Sequence, residues 1–252
     1  MTMASPFDAL KHLTRARIAL GRAGDGLPTQ ALLDFTLAHA LARDAIHGEV
    51  DWNELQKALS PLSTIALTSA ATDKQTYLRR PDLGRTLADG EAAKLPKGPF
   101  DIALVIGDGL SADACMAYAA ETAHAVVNTL PDFTFAPIVL AKGARVALSD
   151  PIGAALSANL VIMLIGERPG LTTADSLGAY LTFAPRSGRK DSERNCISNI
   201  HAHGLTPSLA AQKIAWLARE ALRLKLTGVD LKEAAPDGLL AAPAPTKALP
   251  NT

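Results

Sequence analysis

The run Asp101-Ile-Ala-Leu-Val-Ile-Gly107 constrains this chain more than any other segment. It is apolar without interruption, ends in Gly107-Asp-Gly-Leu-Ser111, and leads into an Ala-rich stretch from Ala112 to Leu130. Apolar residues without alternation predict a strand buried on both faces, and such strands belong to sheets covered by helices on each side. Strand, tight loop and helix then follow one another, which is the opening of a βαβ unit. Ala136–Leu140, Leu160–Ile165 and Ala179–Phe183 read as three further strands. Asp150 is placed to cap a short helix from Ile152 to Ala158, and Pro207 to open a helix reaching about Leu226. The predicted class is α/β, a Rossmann-like parallel sheet flanked by helices and preceded by a helical N-terminal region.

In that N-terminal region Thr29 can cap a helix whose apolar positions, from Ala31 to Leu41, recur at helical spacing. Trp52, Leu55 and Leu59 suggest a shorter helix after the turn at His47–Gly48. The chain therefore divides into a helical region or arm over 1–98, the Rossmann-like domain over 99–233, and a tail over 234–252. The tail is Ala- and Pro-rich with few large apolar groups, so it is expected to be disordered. Aromatics are only 4% against 48% hydrophobic residues, so the core must be built from Ala, Leu, Ile and Val.

Several function classes are disfavoured at once. Lys and Arg number 25 and Asp and Glu 25, which leaves no basic surplus to neutralise nucleic acid or an anionic membrane surface. The longest apolar run, Leu160–Ile165, is too short to cross a bilayer, and Met1–Leu10 carries no signal pattern. Cys115 and Cys196 lie far apart with no CxxC spacing, which argues against a disulfide framework or a zinc site and fits a reducing cytoplasm. His39 and Asp44 fall at i and i+5, off one helix face, so no metal site is expected there.

Three segments carry chemistry. Gly107–Ser111 presents backbone N–H groups at a helix start, suited to an anion or an amide carbonyl, but it lacks the GxGxxG spacing. Gly166-Glu-Arg-Pro-Gly-Leu171 sets a carboxylate and a guanidinium at a strand's carboxyl end, where open α/β sheets bind ligands; solvated loop charges are the plain alternative. Arg194-Asn-Cys-Ile-Ser-Asn-Ile200 reads as a polar loop holding a lone thiol. Cys196 with His201 or His203 as base is one reading, a small semi-buried Cys another, and groups gripping a ligand's amides a third. Ala144–Leu148 is an ordinary β-like segment with Val146 as a core residue. The arginines of Ala16–Gly24 and Arg80–Arg85, set among small residues, point to a protein partner rather than phosphate.

Taken together, Ala16–Gly24, Ala38–Ala45, Arg80–Arg85, Asp108–Ala112, Gly166–Leu171 and Arg194–Ile200 resemble the small (light) subunits of ethanolamine ammonia-lyase, in the family's order, from about Leu13 to Lys232. Two departures are Ala144, where the family usually has Gly, and Lys74, where an arginine is expected. The resemblance implies a subunit of an adenosylcobalamin-dependent enzyme that converts ethanolamine to acetaldehyde and ammonia by radical chemistry. It implies a large TIM-barrel partner subunit carrying the catalytic groups, and none in this chain. It also implies an oligomer of heterodimers in the cytoplasm, in some members inside a bacterial microcompartment. The family's cobalamin contacts fall on Val146, Glu167 and Cys196, with Glu167 accepting from corrin amides. None of the six histidines lies in an Asp-x-His-x-x-Gly pattern, so the cofactor is expected to keep its own dimethylbenzimidazole ligand. The alternatives are a stand-alone nucleotide-binding α/β enzyme, a purely structural subunit and a Cys hydrolase.

Overall fold

A computed structural model describes residues 7–14 and 16–232; the 234–252 tail lies outside the described residues. In chain order the elements are α1 (Thr29–His47), α2 (Trp52–Ala58), β1 (Thr64–Thr68), α3 (Lys74–Arg79), β2 (Phe100–Gly107) and α4 (Ala112–Thr129). There follow β3 (Ile138–Lys142), α5 (Ser149–Ala155), β4 (Ala158–Gly166), β5 (Leu177–Phe183), β6 (Asn195–Ile200) and α6 (Pro207–Leu224). The six strands form one sheet in the order β1-β3-β2-β4-β5-β6.

The sheet is mixed, which corrects the expected parallel, Rossmann-like arrangement. β1, β3, β2 and β4 run parallel, while β4–β5 and β5–β6 pair antiparallel. The cause is the connections. No helix lies between β4 and β5 to carry the chain back across the sheet, and only a single 3-10 turn, Asp191–Glu193, lies between β5 and β6. Without a crossover the next strand can only return antiparallel.

Two strands come from segments read otherwise. Thr64–Thr68 lies in the region expected to be helical, yet pairs with β3 along its length. Asn195–Ile200, read as a polar loop, is edge strand β6. Its inward residues, Ile197 and Ile200, are three apart, which a regular strand cannot place on one face. A register shift between Leu177 and Ala179, with Asn199 at φ +60°, absorbs the extra residue as a bulge.

Side chains of the central strands alternate between two cores. Ile102, Leu104 and Ile106 join α4, α6 and Leu55 of α2 on one face; Ala103, Val105, Val139 and Met163 join Leu148 and Ile152 on the other. Each large aliphatic side chain fully buried this way stabilises the fold by about 1.5–3 kcal/mol, against roughly 0–1 for an exposed ion pair. Burial of this sheet therefore dominates the fold energetics. Ser111 caps α4 and Thr206 caps α6, but α1 begins at Thr29 with Pro28 in the cap position and no side-chain cap bond. Of α1, only Ala42 and Ala45 are buried; Leu32, Leu33, Phe35, Leu37 and Leu41 face outward.

Candidate ligand-binding surface

Three loops meet at the carboxyl ends of the parallel strands. The loop after β2 locks into the loop after β4: Leu110 N–H donates to the Gly166 carbonyl at 3.0 Å. A Cβ on Gly109, whose φ is +59°, would lie 2.1 Å from that carbonyl oxygen, and one on Gly166 would lie 2.1 Å from the Ser111 oxygen. Only two facing glycines permit this approach. Asp108 ties in the loop after β3, its carboxylate accepting from the N–H groups of Gly109, Gly143 and Ala144, each at 2.9 Å. Burial pushes the Asp108 carboxyl up, against the pull of those N–H groups and of Lys74. The N–H groups of Gly109 and Leu110 are thus already committed to protein acceptors, beside a buried acid that disfavours a second anion. The Gly-Asp-Gly loop is a structural clasp.

Glu167 leaves β4 and folds over Gly178 of β5, where a Cβ would sit 2.8 Å from Glu167 Oε1. Its Oε2 accepts from Ser176 Oγ at 2.5 Å and from the Asn199 N–H at 3.3 Å, so the β6 bulge helps hold it. No hydrogen bond reaches Oε1 among the described residues. One oxygen fixes the carboxylate and the other is left to accept from outside.

Gly178 pairs with Ile165, and Tyr180 pairs with both Met163 and Cys196. Side chains on paired positions point to the same face, here the face of Val105 and Met163. Val146 packs on this same core from a 3-10 turn, Val146–Leu148, where a β-like segment was expected. The structure therefore brings Val146, Glu167 and Cys196 to one face of the sheet. They line two adjoining clefts, of about 460 Å³ beside Glu167 and about 310 Å³ beside Cys196, which share Val146, Arg145 and Tyr180.

Cys196 is exposed, with Tyr180 as its cross-strand neighbour. Partial burial raises its thiol, and the nearby charge of Glu167 adds to the effect. Burial likewise pushes the Tyr180 hydroxyl up. Neither His201 nor His203 is its partner: His201 is buried, with Nδ1 accepting from the His203 N–H at 3.2 Å. A neutral thiol without a base is a poor nucleophile. Among the described residues no cluster of three or more His, Cys, Asp or Glu could hold a metal, and no helix is long and apolar enough to cross a membrane.

Sequence reasoning missed Gly178, which makes room for Glu167, and Tyr180, which was read only as part of a strand. It also missed the Arg145–Tyr77 stack, in which the guanidinium carbon lies 4.1 Å from the ring centre. No local signal marks these residues, because each acts on a neighbour distant in sequence. Of the arginines read as partner-facing, Arg17 donates to the Leu171 carbonyl at 3.3 Å and Arg80 pairs with Asp82 at 2.6 Å on the surface.

Fold and site together define a mixed α/β protein with two adjoining clefts at the carboxyl ends of its strands and, among the described residues, no Cys–His hydrogen bond. The family model of the ethanolamine ammonia-lyase light chain (EutC) matches residues 4–232, and the chain belongs to that family. It is 52% identical over 237 residues to the ethanolamine ammonia-lyase small subunit of Bradyrhizobium diazoefficiens, covering 90% of each chain. It is 52% identical over 231 residues to that of Rhodopseudomonas palustris, covering 89% of this chain and 88% of the relative. Against that of Azotobacter vinelandii the identity is 48% over 241 residues, covering 92% and 89%.

Proposed function

We propose that this chain binds adenosylcobalamin at an interface with a large catalytic subunit, and that the pair converts ethanolamine to acetaldehyde and ammonia by radical chemistry. The observation that carries this reading is the gathering of Val146, Glu167 and Cys196, far apart in sequence, around adjoining clefts on one sheet face.

The residues present fit a corrinoid. A corrin ring carries amides on its rim, and Glu167 offers them a carboxylate oxygen that has no protein donor. The Val146 carbonyl already accepts Ser149 Oγ at 2.8 Å, so Val146 offers the ring chiefly an apolar wall. Cys196, its thiol raised by partial burial and set opposite Tyr180 across the strands, contributes shape rather than reactivity. Bound adenosylcobalamin supplies the radical that starts the rearrangement. This chain's part is to orient the cofactor and keep water from it, with no catalytic residue of its own. The clefts are open to solvent, as suits a ligand covered by a second chain. The outward apolar row of α1 suits burial against protein as well, in an oligomer of heterodimers in the cytoplasm or a bacterial microcompartment.

His201 is buried and packed against Gly204, where a Cβ would lie 2.5 Å from its Nε2. It is therefore not offered to a cobalt ion, and the base-on reading for the other histidines rests on the absence of an Asp-x-His-x-x-Gly pattern from the sequence. A stand-alone nucleotide enzyme is disfavoured because the loop after β2 has committed two of its N–H groups.

The test is co-expression with the large subunit, followed by equilibrium binding of adenosylcobalamin and assay of ethanolamine-dependent acetaldehyde. Uptake of cobalamin by the complex, with activity dependent on it, is the expected outcome. A complex that takes up none refutes the reading, and histidine-nitrogen coupling in its paramagnetic resonance refutes the base-on form.

A further inference from the structure

Arg145 stands between the two clefts and lines both. Its guanidinium is clamped: it stacks on Tyr77, Nη2 donates to the Tyr77 carbonyl at 3.0 Å, and Tyr77 Oη donates to the Ala144 carbonyl at 3.1 Å. Gly84 makes room for it, since a Cβ there would lie 2.8 Å from Arg145 Cγ. Beyond the Tyr77 ring and carbonyl, no group of opposite charge pairs with it among the described residues. Nε is buried without a hydrogen-bond partner. A fixed guanidinium with unanswered donors is costly unless a ligand supplies acceptors. Two more arginines, exposed and without an ion pair among the described residues, line the same clefts: Arg168 beside Glu167 and Arg85 beside Cys196. Glu167 and Asp191 also line these clefts, but neither pairs with Arg145, Arg85 or Arg168 among the described residues, so the three guanidiniums outnumber the two carboxylates there.

We infer that Arg145, with Arg85 and Arg168 on the same clefts, is an anion seat that takes the phosphodiester of the cofactor's nucleotide loop. The inference rests on the cobalamin reading above. A guanidinium fork matches the oxygens of a phosphodiester, and that group is the one permanent negative charge among a corrinoid's neutral amides. The clefts thus offer opposite polarities: Glu167 accepts from amide N–H groups, and the arginines donate to phosphate. A carboxylate of the large subunit would satisfy Arg145 as well; Arg85 and Arg168 are exposed and solvated in either case, so the comparison of two probes decides between the occupants.

The experiment uses the two-subunit complex and two probes, cobalamin and cobinamide, which lacks the phosphate and nucleotide. Affinities are measured by equilibrium dialysis read by visible absorbance. Arg145→Met is expected to weaken cobalamin about ten- to a hundredfold and leave cobinamide nearly unchanged, with Arg145→Lys recovering part of the loss. Raising salt is expected to weaken wild-type cobalamin binding more than cobinamide binding, and less so in the Met variant. Arg168→Ala, at an exposed position that folding does not need, is expected to lower cobalamin affinity alone by about two- to fivefold. Equal weakening of both probes, or no weakening of either, overturns the phosphate seat and leaves the cobalamin reading standing. Loss of subunit association, with both probes weakened alike, assigns Arg145 to a partner carboxylate and overturns it too. A wild-type complex that binds neither probe overturns both readings.

Discussion

Arg194 makes two 2.6 Å hydrogen bonds to Asp150, one from Nη1 to Oδ1 and one from Nη2 to Oδ2, with both side chains 2% exposed. The pair fastens edge strand β6 to helix α5, and Arg194 also donates to Thr182 Oγ1 and the Arg189 carbonyl. Cys196 lies two residues further along β6, so the pair also fixes one wall of the cleft.

Removing Asp150 leaves a buried guanidinium without its counter-charge. Asp150→Ala is expected to destabilise the fold by about 3–5 kcal/mol. Asp150→Ala with Arg194→Met should recover part of that loss, since no charge is then left unpaired. Denaturant midpoints of the three variants check this, and an Asp150→Ala midpoint within error of wild type refutes it.

Glu167→Ala removes the carboxylate oxygen that faces the cleft, together with the Ser176 and Asn199 contacts. Cobalamin affinity of the two-subunit complex is expected to fall about ten- to a hundredfold, the weight of one charge-assisted hydrogen bond. An unchanged affinity would show that the carboxylate serves the loop alone.

Gly109→Ala forces a Cβ onto the Gly166 carbonyl at a residue with φ +59°. The two loops must part, so the substitution is expected to destabilise the protein by more than about 1 kcal/mol and weaken cobalamin binding as well. Gly90→Ala, also at positive φ but with nothing within 4 Å, controls for backbone strain alone. Similar losses in both variants would rule out the loop clash.

The raised thiol of Cys196 predicts slow alkylation by iodoacetamide at neutral pH, accelerating as pH climbs past the ordinary thiol value near 8.5. Bound cobalamin is expected to protect it, and Cys196→Ser to retain activity. The buried Cys115, also raised by burial, should react only after unfolding. Fast labelling of Cys196 at pH 7 would contradict the neutral-thiol assignment.

Glu91 accepts from Lys94 Nζ at 2.6 Å and from the Thr68 N–H at 2.9 Å, and these bonds hold its carboxyl below the usual range despite burial. Its folded value lies below its unfolded one, about 4.3. The stability it contributes is therefore present above that pH and lost as pH falls through the folded value. Glu91→Gln is expected to flatten the acid limb of the stability curve, as followed by thermal melts between about pH 3 and 6; an unchanged limb refutes it.

The central strands were legible because a buried strand reads as an unbroken apolar run, and β2, β3 and β4 each carry one. The helices α4 and α6 were legible from a composition and a proline that match local rules. Strand direction was not, because it depends on whether a connection contains a crossover helix. β6 was hidden because its inward residues, Ile197 and Ile200, obey no period of two until the bulge at Asn199 is known.

The site divides the same way. Sequence alone determined which segments are polar loops following buried strands, and its family resemblance singled out Val146, Glu167 and Cys196. Only the tertiary structure decided that the three share a face, that Gly178 leaves room for Glu167, and that Arg145 stands clamped beside them with no paired carboxylate. The reason is physical: the propensity of a segment is written in adjacent residues, whereas a cleft is made by register and packing between residues far apart in the chain.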